Sequence, residues 1–148
     1  MSGDTHAQFM ALALAHSKRA LPACLPNPPV GCVLVRQGEL VASGYTQSPG
    51  ADHAEAAALA AYSGSVDGVT AYVTLEPCSF HGRTPACAKS LIARGIKKVV
   101  VAMQDPDPRN SGRGIAMLKA AGVEVIEGVM QGEVEEFIGQ YLITAESR

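Results

Sequence analysis

His53-Ala54-Glu55 and the stretch Thr74 to Cys87, TLEPCSFHGRTPAC, carry three soft-metal ligands far apart in the chain, and any fold of this sequence has to bring them together. One imidazole and two thiolates, from His53, Cys78 and Cys87, make a three-ligand set for zinc. Such a set leaves the fourth tetrahedral position open to water, as catalytic sites require, whereas a closed structural site would call for a fourth protein ligand. Glu55, two residues past the His, offers the carboxylate needed to move protons between water and a substrate. The pattern points to hydrolytic chemistry, with Zn2+ as cofactor and Glu55 as the catalytic acid and base.

Local signals place the ligands at the ends of elements. Asp52 suits an N-cap, and the alanine-rich run His53 to Tyr62 is a strong helix former. Residues two apart on a helix flank point nearly opposite ways, so His53 and Glu55 can serve one site only if the metal lies beyond the helix end. The competing reading of Glu55 is the N3 carboxylate of a capping box with Asp52. Thr84 can cap the next helix, with Pro85 at its first position and Cys87 in its first turn. There the helix macrodipole and free amides favour a thiolate. Both helix starts are expected to converge on the metal.

The remaining elements read in order. Asp4 is expected to cap a helix from about Thr5 to Ala20, with Phe9, Leu12, Ala13 and Ala20 broadly on one face. His6 and His16 have no partners at metal spacing and read as surface or packing residues. Pro22, Pro26, Pro28 and Pro29 make a stiff loop able to hold Asn27 in a fixed pose. Val30 to Val35 and Leu40 to Tyr45 form a hairpin around Gln37-Gly38-Glu39. Strands follow over Val69 to Leu75, Lys97 to Met103 and Val123 to Ile126, with helices over Gly114 to Ala121 and about Gly132 to Ala145. Gln104 to Asn110 is too rich in proline and turn formers for regular structure. Strands alternating with helices imply an α/β layered domain around a central sheet, in one domain over 1–148.

Charge and composition exclude several classes. Twelve basic against fourteen acidic residues, a formal charge of −2, and no Lys/Arg run argue against a nucleic-acid partner. Met1 to Ala20 is interrupted by Asp4, His6, Gln8, His16, Lys18 and Arg19, so it reads as neither signal peptide nor membrane span, and the expectation is a cytoplasmic protein without a membrane partner. Cys24 and Cys32 read as small buried hydrophobes rather than as a disulfide.

The H-x-E…P-C pattern is that of the zinc deaminases. The eight residues between Cys78 and Cys87 exceed the two of the usual P-C-x-x-C signature. TLEPCSFHGRTPAC resembles instead the deaminase domain of the bifunctional riboflavin-biosynthesis deaminase/reductase, a branch of the cytidine deaminase-like superfamily. NPPVGCVLV (Asn27 to Val35), HAE, DPDPRNSGRG (Asp105 to Gly114) and the AGVEV strand are also similar to that family's blocks, in the family's order. The resemblance implies a three-layer α/β/α cytidine deaminase-like fold with a central mixed sheet of about five strands. It makes His53, Cys78 and Cys87 the zinc ligands and Glu55 the proton shuttle. Substrate contacts would come from Asn27, Thr46, Ala54, Phe80, His81 and Arg83, with Asn27 on the ring and Arg83 near a phosphate. The implied substrate is the diaminohydroxyphosphoribosylaminopyrimidine intermediate of riboflavin synthesis, a small pyrimidine nucleotide.

Departures bear on the substrate. The family usually has His at the positions of Thr46 and Phe80, with His81 here displaced by one residue, and Ala86 and Lys89 also replace common residues. These changes support the rival reading of a deaminase for cytosine, cytidine or guanine. A non-catalytic zinc-stabilised binding module would have no need for Glu55, and the charge balance disfavours a tRNA-editing enzyme. The family's bifunctional members continue into a nicotinamide-dependent reductase, for which 148 residues leave no room. The chain then reads as a stand-alone deaminase with a separate reductase in the same pathway, as a piece of a longer protein, or as a paralogue. A homo-oligomer is expected, with the apolar face of the first helix available for association.

Overall fold

The computed structural model describes residues 3–80 and 86–142. Five strands form one mixed sheet in the order β2-β1-β3-β4-β5: β1 (Gly31–Arg36), β2 (Glu39–Tyr45), β3 (Val69–Leu75), β4 (Lys98–Met103) and β5 (Glu124–Glu127). β1 is antiparallel to both β2 and β3, while β3, β4 and β5 run parallel. The β1–β2 hairpin closes through Gln37 and Gly38, both at positive φ (53° and 78°), the backbone of a type I′ turn whose twist matches the strands.

Side-chain alternation divides the sheet into two apolar faces. Cys32 and Leu34 of β1, Ala71 and Val73 of β3, and Val99 and Val101 of β4 pack with Ala54, Ala58 and Leu59, Ala88 and Leu91, and Leu118. These last residues belong to α2 (Ala54–Ala60), α3 (Cys87–Arg94) and α4 (Arg113–Ala120). Val33, Val35, Tyr72, Val100 and Ala102 face the other way, onto α1 (Gly3–Lys18) and α5 (Gln131–Ile138). The result is the expected α/β/α three-layer arrangement. α2 lies close against β2 because residue 44 is glycine: a Cβ there would stand 2.5 Å from the Ala54 oxygen and from the Ala58 nitrogen.

Several boundaries differ from expectation. Asp4 lies inside α1 rather than ahead of it, and Arg19 and Ala20 fall in turns closed onto His16 and Ser17. The buried face of α1 is Phe9, Met10 and Ala13, whereas Leu12 is exposed. That apolar face is covered by the chain's own sheet, so it is not the free surface on which self-association was expected. His6 is buried, with Nδ1 2.7 Å from the Tyr72 hydroxyl. The proline-rich segment is not featureless: Cys24 N–H donates to Ala20 O and Asn27 N–H to Cys24 O, so successive turns deliver Asn27. The last helix ends at Ile138, followed by a 3₁₀ turn over Gly139–Tyr141, and the expected extension to Ala145 lies outside the described residues. Among the described residues no helix is long and apolar enough to cross a membrane.

Candidate active site

The site forms beyond the carboxyl ends of β3 and β4, where open α/β sheets commonly place ligands. α2 begins one residue later than expected. His53, in extended conformation (φ −73°, ψ 169°), is the N-cap residue, and Asp52 is exposed and makes no cap. Glu55 therefore occupies the second helical position, and the capping-box reading, which needs the third, fails. A side chain at an N-cap projects past the helix end, so His53 and Glu55 reach one site despite their spacing.

α3 likewise starts later than the Thr84–Pro85 pair suggested, with Ala86 as N-cap residue and Cys87 in the first helical position. Thr84 and Pro85 lie outside the described residues. Cys78 satisfies the helix start instead: its Sγ accepts the Cys87 N–H at 3.2 Å and its carbonyl accepts the Ala88 N–H at 3.1 Å. The orphan amides of a helix N-terminus thus hold a sulfur that can carry negative charge.

His53, Cys78 and Cys87 are brought together, with their ligand atoms all within 4.8 Å of one another. His53 Nδ1 lies 3.3 Å from Cys87 Sγ and 3.9 Å from Cys78 Sγ. Tetrahedral zinc bonds of ordinary length to nitrogen and sulfur would set that separation at about 3.6 Å, so the donor set fits such an ion. The Cys87 thiol donates to Cys78, which is pulled down to about 4 with further help from His53 and the Cys87 amide. Cys87 is correspondingly pushed up. Glu55 is 4% exposed, and burial, reinforced by the Cys78 charge, raises its carboxyl to about 7.

His53, Glu55 and Cys78 line a cavity of about 500 Å³ shared with Asn27, Thr46, Phe80, Asp105, Asp107 and Arg109. Thr46 is buried and its hydroxyl bonds within the protein, accepting the Val30 N–H at 2.9 Å and donating to the Pro28 carbonyl at 3.0 Å. It pins the proline-rich segment that carries Asn27 onto the end of β2. Ala54 does not line the cavity; its side chain is fully buried in the core. His81 and Arg83 lie outside the described residues.

Sequence reasoning missed the residues that brace the cavity from behind. Glu76 is buried, and its carboxylate accepts the N–H groups of Asp105, Gly112 and Ile115 at 3.0, 2.9 and 3.0 Å. Asn110 bridges the same elements, donating to the Pro77 carbonyl and accepting the Gly114 N–H. Gly114 lets α4 come so close that a Cβ would stand 1.8 Å from the Pro77 oxygen. Asp105 Oδ1 accepts the Asp107 N–H, and Asp107 Oδ1 accepts the Arg109 N–H, two successive Asx turns. The readable signal was Asp-Pro-Asp-Pro, whose aspartates favour this geometry.

Comparison with known proteins agrees with this geometry. Residues 4–103 match the family described as the cytidine and deoxycytidylate deaminase zinc-binding region. The riboflavin biosynthesis protein RibD of Escherichia coli (strain K12) is 50% identical over 128 residues, covering 86% of this chain and 35% of that protein. The chain thus spans about a third of the length of that relative. A diaminohydroxyphosphoribosylamino-pyrimidine deaminase of Buchnera aphidicola subsp. Schizaphis graminum is 39% identical, covering 87% of this chain and 88% of that protein. Among solved structures, form 1 of Acinetobacter baumannii RibD superposes with a TM-score of 0.92 at 40% identity, over 99% of this chain and 41% of that one.

Proposed function

The chain belongs to the cytidine and deoxycytidylate deaminase zinc-binding family, and from that premise we propose that it hydrolyses the ring amine of a phosphorylated aminopyrimidine. The substrate we propose is the diaminohydroxyphosphoribosylamino-pyrimidine named in its Buchnera relative. The observation that carries the reading is the convergence of His53, Cys78 and Cys87 beside a cavity that His53, Cys78 and Glu55 line.

Zinc held by these three side chains would supply a Lewis acid that makes hydroxide available at neutral pH. Glu55 then takes a proton from the attacking water, returns it to the ring nitrogen beside the reacting carbon, and helps ammonia leave. Its burial keeps bulk water from competing for that proton. Asn27 offers a donor and an acceptor on one amide, matched to the edge of an aminopyrimidine. Thr46 acts in this reading by holding the Asn27 segment rather than by touching the ring, and Phe80 closes the rim. None of the four cysteines is in a disulfide, which suits a reducing cytoplasmic setting. A nicotinamide-dependent reductase is the partner we expect to consume the product.

The test is ammonia release by the zinc-loaded protein offered the riboflavin intermediate, cytidine, cytosine and guanine, with and without chelator. Chelator-sensitive turnover of the riboflavin intermediate above the others is the expected result. Preference for another base would replace the substrate, and silence across the panel with zinc bound would sink the catalytic reading.

A further inference from the structure

The described residues lining the cavity include four carboxylates, Glu55, Glu76, Asp105 and Asp107, and a single guanidinium, Arg109, with no lysine. A phosphate entering a wall of this composition would be repelled unless one group offset the acids. Glu76 is spent on three main-chain amides, and Glu55 lies against the metal ligands. Among the described residues, the balance at the rim therefore turns on Arg109.

Its guanidinium is held in a fixed plane from two sides. Asp107, whose side chain is only 7% exposed, accepts from Nε through both oxygens at 3.1 Å and from Nη2 through Oδ2. The Phe80 ring lies under it, 4.7 Å from Cζ to the ring centroid. A guanidinium has five N–H donors in a planar fork. Asp107 engages the Nε hydrogen and one on Nη2, so both Nη1 hydrogens and the second on Nη2 have no partner among the described residues. The side chain is about half exposed, at 51%, so these donors are accessible at the cavity mouth. Orientation by a buried carboxylate and an aromatic face removes most of the rotamer freedom that an arginine ordinarily loses on binding.

We infer that Arg109, clamped by Asp107 and Phe80, is a contact that selects a phosphorylated substrate over its unphosphorylated counterpart at this site. The inference rests on the proposed reading of the site as that of a phosphorylated aminopyrimidine deaminase. The anion is bound by the outer edge of the guanidinium while Asp107 keeps the inner edge. Arg109 is then a specificity-determining residue with no part in proton transfer.

Two measurements on the zinc-loaded protein decide it. In equilibrium binding, the parent protein is expected to bind ribose 5-phosphate, and Arg109→Gln to bind it roughly tenfold to a hundredfold more weakly, as for loss of charge-assisted hydrogen bonds. Arg109→Lys should fall between them, and ribose should not distinguish the three proteins. In kinetics, Arg109→Gln should raise KM for the phosphorylated pyrimidine while leaving kcat, and the rate on the dephosphorylated nucleoside, within about twofold, the signature of lost uniform binding. Equal binding of ribose 5-phosphate by the parent and Arg109→Gln, or no binding by the parent at millimolar ligand, would overturn the inference. An equal fall on both substrates would overturn it too, since that would make Arg109 a support of the loop. If the parent deaminates neither pyrimidine, the proposed function fails while the binding comparison still judges Arg109.

Discussion

At the scale of single residues, the account separates groups that hold a metal from groups that move protons. Glu55→Gln keeps the shape of a buried side chain but loses the transferable proton, so zinc content should be unchanged while turnover falls about 10²- to 10⁴-fold. Metal analysis alongside an ammonia assay checks both halves. Cys87→Ser should lose zinc and turnover together, because a serine hydroxyl is a poor ligand for a site built on thiolates. Asp105 makes a pH prediction. Burial raises its carboxyl from 3.8 to about 6, so between these values the folded protein holds a proton that the unfolded chain has released. Stability contributed by the protonated form is therefore present at low pH and lost as pH rises through about 6. Asp105→Asn preserves the acceptor for the Asp107 amide and removes the titration. Its stability relative to the parent should rise between pH 4 and 7 by at most about 3 kcal/mol, read from urea unfolding of the zinc-loaded proteins.

At the scale of elements, the site depends on how α4 is sewn to the segment bearing Cys78. Glu76, Asn110 and Gly114 all act between Pro77 and the start of α4. Gly114→Ala has to push the helix away from the Pro77 carbonyl, and a loss of about 1 to 3 kcal/mol is expected, with faster zinc release to a chelator. Glu76→Gln places an amide hydrogen against a main-chain donor and should cost a similar amount. Calorimetry and chelator kinetics on the two variants test this coupling; unchanged zinc release in both would contradict it. This seam also marks where the sequence stopped being legible. The strands were readable from β-branched runs, and the convergence of His53 and Cys87 at helix starts from their flanking residues. The contact of Cys78 with the start of α3 runs across a chain reversal that no local pattern encodes. The same holds for Glu76, whose partners lie 29 to 39 residues away.

At the scale of the molecule, the three layers present two helix starts and two strand ends to one site: His53 and Cys87 come from the helix starts, Cys78 from the segment after β3, and Glu55 lies beside them. Every buried side-chain nitrogen and oxygen among the described residues has a hydrogen-bond partner, so the polar floor of the cavity is a satisfied network rather than a reservoir of strain. The α/β architecture followed from alternating elements. The covered face of α1 did not, because amphipathicity alone shows that a face is buried and not against what. The departures at Thr46 and Phe80 now have local roles, the first in anchoring the proline-rich segment and the second beneath Arg109. Both roles shape the cavity without touching the metal ligands, and so leave hydrolytic deamination as the central claim. Its most direct test is turnover of the phosphorylated diaminopyrimidine in heavy-oxygen water, followed by mass spectrometry of the product. The account expects one ring amine replaced by one solvent-derived heavy oxygen, with ammonia released in equal amount and the product absent for Glu55→Gln. Unaltered substrate with zinc bound, or a product whose new oxygen does not come from solvent, would contradict it.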